Sequence, residues 1–324
     1  MGDLLTAVPA LRGLRASYPD HQLVLAAPES LGELVALTGA VDELLPTAGL
    51  DPLTGPSPDV AVNLHGRGPD STRILRALHP GVLVTHAHLE HPGVPGPEWE
   101  TDIHEVRRWC RLLDHFGIPA DPADLGLARP PVASPLPAAV VVHPGGAFVA
   151  RHWPAQRYAV VARELAATGL PVVVTGNADQ RPLALQVAAM AGLPQRRVHA
   201  GRTSLAQLAA LVADASLVVC GDTGIAHLAT AYGTPSVVLF GPVSPQHWGP
   251  PPQRSQHVAL WAGSTGDTFA DRPDPGLLLI TTDDVLAAAA TACQLSSPAL
   301  AGKSPSTSRW PTASGEGFRG ESTW

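Results

Sequence analysis

Val219-Cys220-Gly221-Asp222-Thr223-Gly224-Ile225-Ala226-His227-Leu228-Ala229 runs from an apolar strand, Leu217–Cys220, through a Gly-Asp-Thr-Gly turn into a helix. Asp222 or Thr223 can cap that helix. The free N–H groups and the dipole at its start make an anion site. In an open α/β sheet, ligands bind at the carboxyl ends of the strands, where this turn must sit. Two readings stay open on the local pattern: a cradle for the diphosphate of a sugar nucleotide, or an ordinary capped turn between strand and helix.

Working outward, Val142-His143-Pro144-Gly145-Gly146-Ala147-Phe148-Val149-Ala150-Arg151-His152-Trp153-Pro154 is a second strand followed by a Gly-rich turn, with a helix starting near Pro154. Gly145 and Gly146 let the backbone approach a ligand closely, and the Arg151 guanidinium suits phosphate charge. The competing reading is a solvated arginine beside a helix start. The pair of segments is worth more than either alone, because both loops fall at the same edge of one sheet. Near the start, Gly2-Asp3 opens a helix with apolar residues at 4, 8, 11 and 14. Taken alone, Asp3 reads as an N-cap.

Short apolar runs alternate with Ala- and Leu-rich stretches along the chain. The strands expected are Leu23–Ala27, Asp59–Leu64, Val82–Thr85, Val140–His143, Val172–Thr175, Ser216–Cys220 and Ser236–Phe240. The helices expected are Leu4–Tyr18, Thr101–Phe116, Ala155–Ala167, Ala178–Ala191, Leu205–Ala213, Gly224–Tyr232 and Asp283–Leu295. Several strands are apolar at successive positions, as in parallel sheets covered on both faces, so the fold class is α/β, doubly wound. The Pro-rich run from Arg129 to Pro137 can continue neither a helix nor a central strand and reads as a linker. The expected division is residues 1–132, residues 133–280, a last helix at 281–295, and a Ser-, Pro- and Gly-rich tail at 296–324 read as disordered.

The chain has 324 residues, of which 45% are hydrophobic, enough for two packed cores. Its net charge of −7, without a basic stretch, argues against nucleic acid as a partner. Cys110, Cys220 and Cys293 are far apart and follow neither a zinc nor a disulfide spacing. No secretory leader and no apolar run of about 20 residues is visible. A reduced cytoplasmic setting fits, at the inner face of a membrane if the chain associates with one peripherally.

Taken together, the three segments resemble glycosyltransferase family 9, the heptosyltransferase family. The resemblance rests on Gly2-Asp3 with Pro9-Ala10-Leu11 and Leu14, and on His143-Pro144-Gly145 with Arg151-His152-Trp153-Pro154. It continues through Gly221-Asp222-Thr223-Gly224 with His227-Leu228-Ala229, Gly233-Thr234-Pro235 and Leu239-Phe240-Gly241-Pro242, to Ile280–Val285. It implies a GT-B fold, two Rossmann-like domains facing a cleft, the N-terminal one for the acceptor and the C-terminal one for the donor. It implies an inverting enzyme without metal or other cofactor, using a nucleotide-sugar donor of the ADP-heptose type and a glycan or glycoconjugate acceptor. Asp3 would be the general base, and Arg151, where many members carry Lys, would stabilise the departing diphosphate. Gly145, Gly146, Gln180, Asp222, Thr223, Gly224 and His227 would bind the donor.

There are departures. Members open with an apolar strand before the Gly-Asp pair, whereas only Met1 precedes Gly2 here; either the start is misassigned, which is the favoured reading, or the N-terminal sheet lacks its first strand. Gln180 stands where many members carry Glu near the ribose, and residues 260–280 lack a Cys-rich stretch that some relatives show.

His65 and Arg67 follow a strand and are candidates for acceptor binding. His86, His88 and His91 could line an acceptor pocket, with a metal site as the weaker reading. Trp99, Trp109, Trp153 and Trp248 read as packing residues. The alternatives are a sugar-nucleotide 2-epimerase of the same architecture and a catalytically degenerate nucleotide-sugar-binding protein. A nicotinamide dehydrogenase lacks support, since no G-x-G-x-x-G fingerprint occurs.

Overall fold

The computed structural model describes residues 1–295, so the expected disorder of 296–324 lies outside the described residues. The chain divides into two compact units at Arg129/Pro130.

In order, the first unit contains α1 (Gly2–Ser17), β1 (Val24–Ala27), α2 (Gly32–Thr38), β2 (Glu43–Pro46), β3 (Val60–Val62), α3 (Asp70–Arg76), β4 (Val82–Val84) and α4 (Glu105–His115). Its strands form two separate parallel pairs, β1 with β2 and β3 with β4. The sequence pattern gave α1 one apolar face. Instead its buried residues run almost without interruption from Leu4 to Leu14. The reason is packing on more than one side, against α4 and against α2. Ala7, Ala10 and Leu14 join Val84, Trp109, Leu112, Leu113 and Ile118 in one core cluster. The arginines of α1 tie down the surrounding loops. Arg12 bonds to Thr38 O and Asp124, and Arg15 to Ala40 O, His21 O and Asp42.

The second unit carries β5 (Val140–His143), α5 (Ala155–Ala167), β6 (Val172–Val174), α6 (Arg181–Met190), α7 (Leu205–Ala213), β7 (Leu217–Gly221), α8 (Gly224–Tyr232), β8 (Ser236–Leu239), α9 (Pro245–Trp248), β9 (His257–Leu260), α10 (Pro275–Leu279) and α11 (Thr282–Gln294). Its five strands form one parallel sheet in the order β6-β5-β7-β8-β9. Every residue of β5 to β8 is buried, which is why these strands read as continuous apolar runs. One face packs Val140, Val142 and Val219 against α5, α6 and α11. The chain leaves β5 toward β6 on one side and returns to β7 on the other. The switch of direction therefore falls between the loops that follow β5 and β7, where open α/β sheets bind ligands.

Some boundaries and elements differ from the sequence reading. The helix expected from Thr101 starts at Glu105, where the His104 ring accepts from Val106 N. The one expected from Ala178 starts at Arg181, because Asn177 and Gln180 close a turn on each other. The strands β2 and β9 and the short helices α2, α3, α9 and α10 had no expected counterpart. They are brief, and tertiary packing decides them. No helix among the described residues is long and apolar enough to cross a membrane.

Candidate functional site

In the second unit the structure brings together the residues the sequence singled out from three separate loops. After β5, Gly145 and Gly146 turn the backbone beneath the Gln180 side chain. A Cβ on Gly145 would lie 2.3 Å from Gln180 Cδ, so any larger residue would have to push that amide aside. Gln180 Nε2 donates to Gly146 O at 3.4 Å, and its Oε1 accepts from Asn177 N at 3.1 Å. His152 reaches the same carbonyl, its Nε2 lying 3.1 Å from Gly146 O. The loops after β5 and β6 are thus knitted into one polar rim.

Arg151 comes from the loop after β5 and Asp222 from the loop after β7. Arg151 Nη1 lies 3.0 Å from Asp222 Oδ2 and donates to Asp222 O at 3.4 Å. Asp222 is 5% exposed. Burial pushes its carboxyl above the usual range, and the guanidinium of Arg151 opposes that shift. Arg151 Nε is buried without a hydrogen-bond partner, and the Phe148 ring centroid lies 5.7 Å from its Cζ.

The expected capping of α8 is corrected here. Thr223 is the N-cap residue, but no side chain caps the helix. The Asp222 carboxylate turns to Arg151 instead, because a charged pair outweighs a cap at a buried site, while Thr223 Oγ1 donates to Gly221 O at 3.5 Å. The first turn, opening at Gly224, is left without a side-chain cap beside a guanidinium. That combination of free N–H groups, helix dipole and one positive charge suits a phosphate. His227 lies one turn on and packs edge-on against Trp248 at 6.1 Å.

Behind the turn, His143 is buried at the end of β5, with Nδ1 3.0 Å from Thr175 Oγ1. Burial lowers its pKa to about 4, so the ring is neutral at physiological pH. Neither this pair nor the Arg151–Asp222 pair was read from sequence. Their members are 32 and 71 residues apart and meet only through strand order.

In the first unit, Asp3 is exposed in the first turn of α1, whose N-cap is Met1. It is therefore not the N-cap that its position suggested. Its own carbonyl accepts from Thr6 Oγ1. His65 and Arg67 are both exposed on the loop after β3. That loop is held from below by Asn63, which is 1% exposed. Asn63 Nδ2 lies within 3.2 Å of Ser71, Thr72 and Thr85 hydroxyls, and its Oδ1 accepts from His65 N. His86 does not join His88 and His91. It packs edge-on against Trp99 at 4.9 Å and near Trp109, and burial lowers its pKa. His91 instead bonds Pro69 O. Among the described residues no group of three or more His, Cys, Asp or Glu is placed to hold a metal ion. Trp109 and Trp153 are buried packing residues, and Trp99 and Trp248 are half-buried.

Residues 98–270, just over half of the chain, match the family model described as glycosyltransferase family 9 (heptosyltransferase). Lipopolysaccharide heptosyltransferase 2 of Salmonella typhimurium is 33% identical over 151 residues, 44% of this chain and 43% of that protein. Lipopolysaccharide heptosyltransferase 1 of Pseudomonas aeruginosa is 31% identical over 212 residues, 64% of this chain and 54% of that protein. In these matches the chain spans about half the length, or less, of the curated relatives. Among solved structures, E. coli ADP-heptose lipopolysaccharide heptosyltransferase II superposes with a TM-score of 0.71 at 20% identity, covering 91% of this chain and 97% of that one. This likeness establishes the shared fold, two Rossmann-like α/β units of the GT-B type. With the family model matching across the loops that carry Arg151 and Asp222, this chain belongs to glycosyltransferase family 9, the heptosyltransferases.

Proposed function

We propose that the chain is an inverting glycosyltransferase. It moves a heptose or related sugar from an ADP-activated donor to a hydroxyl of a glycan or glycoconjugate, the lipopolysaccharide core being the acceptor class named for its relatives. The observation that carries this reading is the meeting of Arg151 with the uncapped start of α8 at the switch point of the five-stranded sheet. A diphosphate leaving group develops negative charge as the glycosidic bond breaks. A guanidinium beside a helix N-terminus stabilises that charge, and this supports a reaction that needs no divalent metal. The rim of Gly145, Gly146 and Gln180 would hold the nucleotide, and Asp222, Thr223, Gly224 and His227 the diphosphate and sugar.

Asp3 would act as general base, taking the proton from the acceptor hydroxyl as its oxygen attacks the anomeric carbon. An exposed carboxylate is open to such a hydroxyl. His65 and Arg67, exposed on a loop held rigid by Asn63, would contact the acceptor. The first unit would then serve the acceptor and the second the donor. Peripheral contact with the cytoplasmic face of a membrane fits an acceptor of glycolipid type.

The test is calorimetric titration with ADP, UDP, GDP and ADP-heptose, on wild type and on Arg151→Lys and Arg151→Gln, with EDTA present and absent. ADP is expected to bind selectively, irrespective of EDTA, with Lys retaining most of the affinity and Gln losing about tenfold or more. A folded wild type that binds no nucleoside diphosphate would sink the transferase reading.

A further inference from the structure

Arg151 is not a free cation waiting for phosphate. Its Nη1 is held by a carboxylate that is 5% exposed, on the turn that opens the helix whose N-terminus would cradle the diphosphate. A buried acid is a poor neighbour for an anion. Two negative charges at contact range in a site of low effective dielectric repel one another. Moreover, a carboxylate that loses the cation paired with it in a buried site needs hydrogen-bond donors in its place. A diphosphate offers none there. The hydroxyls of a sugar do.

We propose that Asp222 competes with the substrate's diphosphate for Arg151, and so sets the preference of this site for a nucleotide sugar over the nucleoside diphosphate that transfer leaves behind. The inference rests on the reading of this site as a donor site. When the nucleotide sugar binds, Arg151 turns toward the phosphates and Asp222 is compensated by sugar hydroxyls. Once the sugar has been transferred, Asp222 has no donors and draws Arg151 back, which weakens the hold on the product. Asp222 in this role acts through Arg151 and is a positioning residue as well as a sugar contact. Gly221 packs tightly at this point, 3.3 Å from Arg151 O if given a Cβ. The backbones that carry the two side chains are thus held together, and it is the guanidinium that exchanges partners.

The experiment compares the dissociation constants of ADP and ADP-heptose for wild type and Asp222→Asn. Asparagine keeps the shape and removes the charge. ADP is expected to bind Asp222→Asn about tenfold more tightly, with ADP-heptose gaining less, so that the preference for donor over product shrinks. A merely structural role for Asp222 would weaken binding of both ligands, not tighten one. Asp222→Ser is expected to give the same sign and serves if the asparagine variant does not fold. ADP binding no tighter than wild type in the charge-removed variant overturns the proposal, provided that wild-type ADP binding falls in Arg151→Gln. Wild type that binds no nucleoside diphosphate, or binds it independently of Arg151, overturns the donor-site reading itself and the proposal with it.

Discussion

At the scale of single residues, burial decides what each charged group does. Removing the Arg151 guanidinium strands the Asp222 carboxylate, which is 5% exposed, without its cation. Breaking a buried pair from one side costs about 3 kcal/mol or more, because an uncompensated charge remains. Arg151→Ala is therefore expected to melt well below wild type at neutral pH. The double variant with Asp222→Asn should recover much of the loss in a thermal melt, although it restores no phosphate affinity. Buried histidines set an acid limit on stability, two of them most strongly. His143 and His257 have pKa values lowered to about 4, in both cases chiefly by burial. Unfolded histidine titrates near 6.5, so the unfolded chain takes up protons first as the pH falls. The stability they contribute is complete above about pH 6.5 and is lost as pH falls toward 4. The expected loss is about 2 kcal/mol for each residue at pH 5. Urea denaturation at pH 7 and pH 5 should show this, and His257→Gln should flatten part of the dependence.

Elements show why one half of the chain was easier to read than the other. In the second unit, β5 to β8 are buried along their whole length, so their unbroken valine runs announced both the strands and the parallel sheet. In the first unit no residue of β1 is buried, and β2 was not foreseen at all. Glu43-Leu44-Leu45-Pro46 is short, charged at one end and closed by proline, and only pairing with β1 makes it a strand. α1 was legible as a helix, but its burial on nearly all sides was not, since a face is defined by what packs on it. Gly13 illustrates the point. A Cβ there would lie 2.6 Å from Pro119 O and 2.9 Å from Ala120 Cβ, both fixed parts of the neighbouring loop. Gly13→Ala raises intrinsic helix propensity yet is expected to destabilise the protein by about 1–3 kcal/mol through overpacking. An increase in melting temperature would contradict that account.

Across the whole molecule, the groups proposed for the donor and those proposed for the acceptor fall in different compact units. Gly145, Arg151, Gln180 and Asp222 belong to the unit that begins at Pro130, and Asp3, His65 and Arg67 to the one that ends at Arg129. Binding and chemistry should therefore separate by mutation. Asp3→Asn is expected to leave ADP affinity within about twofold of wild type, while transfer falls by about a hundredfold or more, the loss that the proposed general-base role predicts. Calorimetry and a transfer assay on the same preparation check this, and a parallel loss of ADP affinity would count against the division of labour.

From the sequence alone came the fold class, the order of the main elements, and the loops after β5 and β7 as the candidate place for a ligand. Such features are local. Apolar periodicity and turn residues act over a few positions, and a strand that leads into a glycine turn and a helix must present its carboxyl end. Tertiary structure alone decided which side chains face one another: Arg151 with Asp222, His143 with Thr175, and Gln180 over Gly145. It also decided that α8 goes without a side-chain cap. Those outcomes depend on strand order and burial, which bring residues tens of positions apart within hydrogen-bond distance, and no local pattern carries that information.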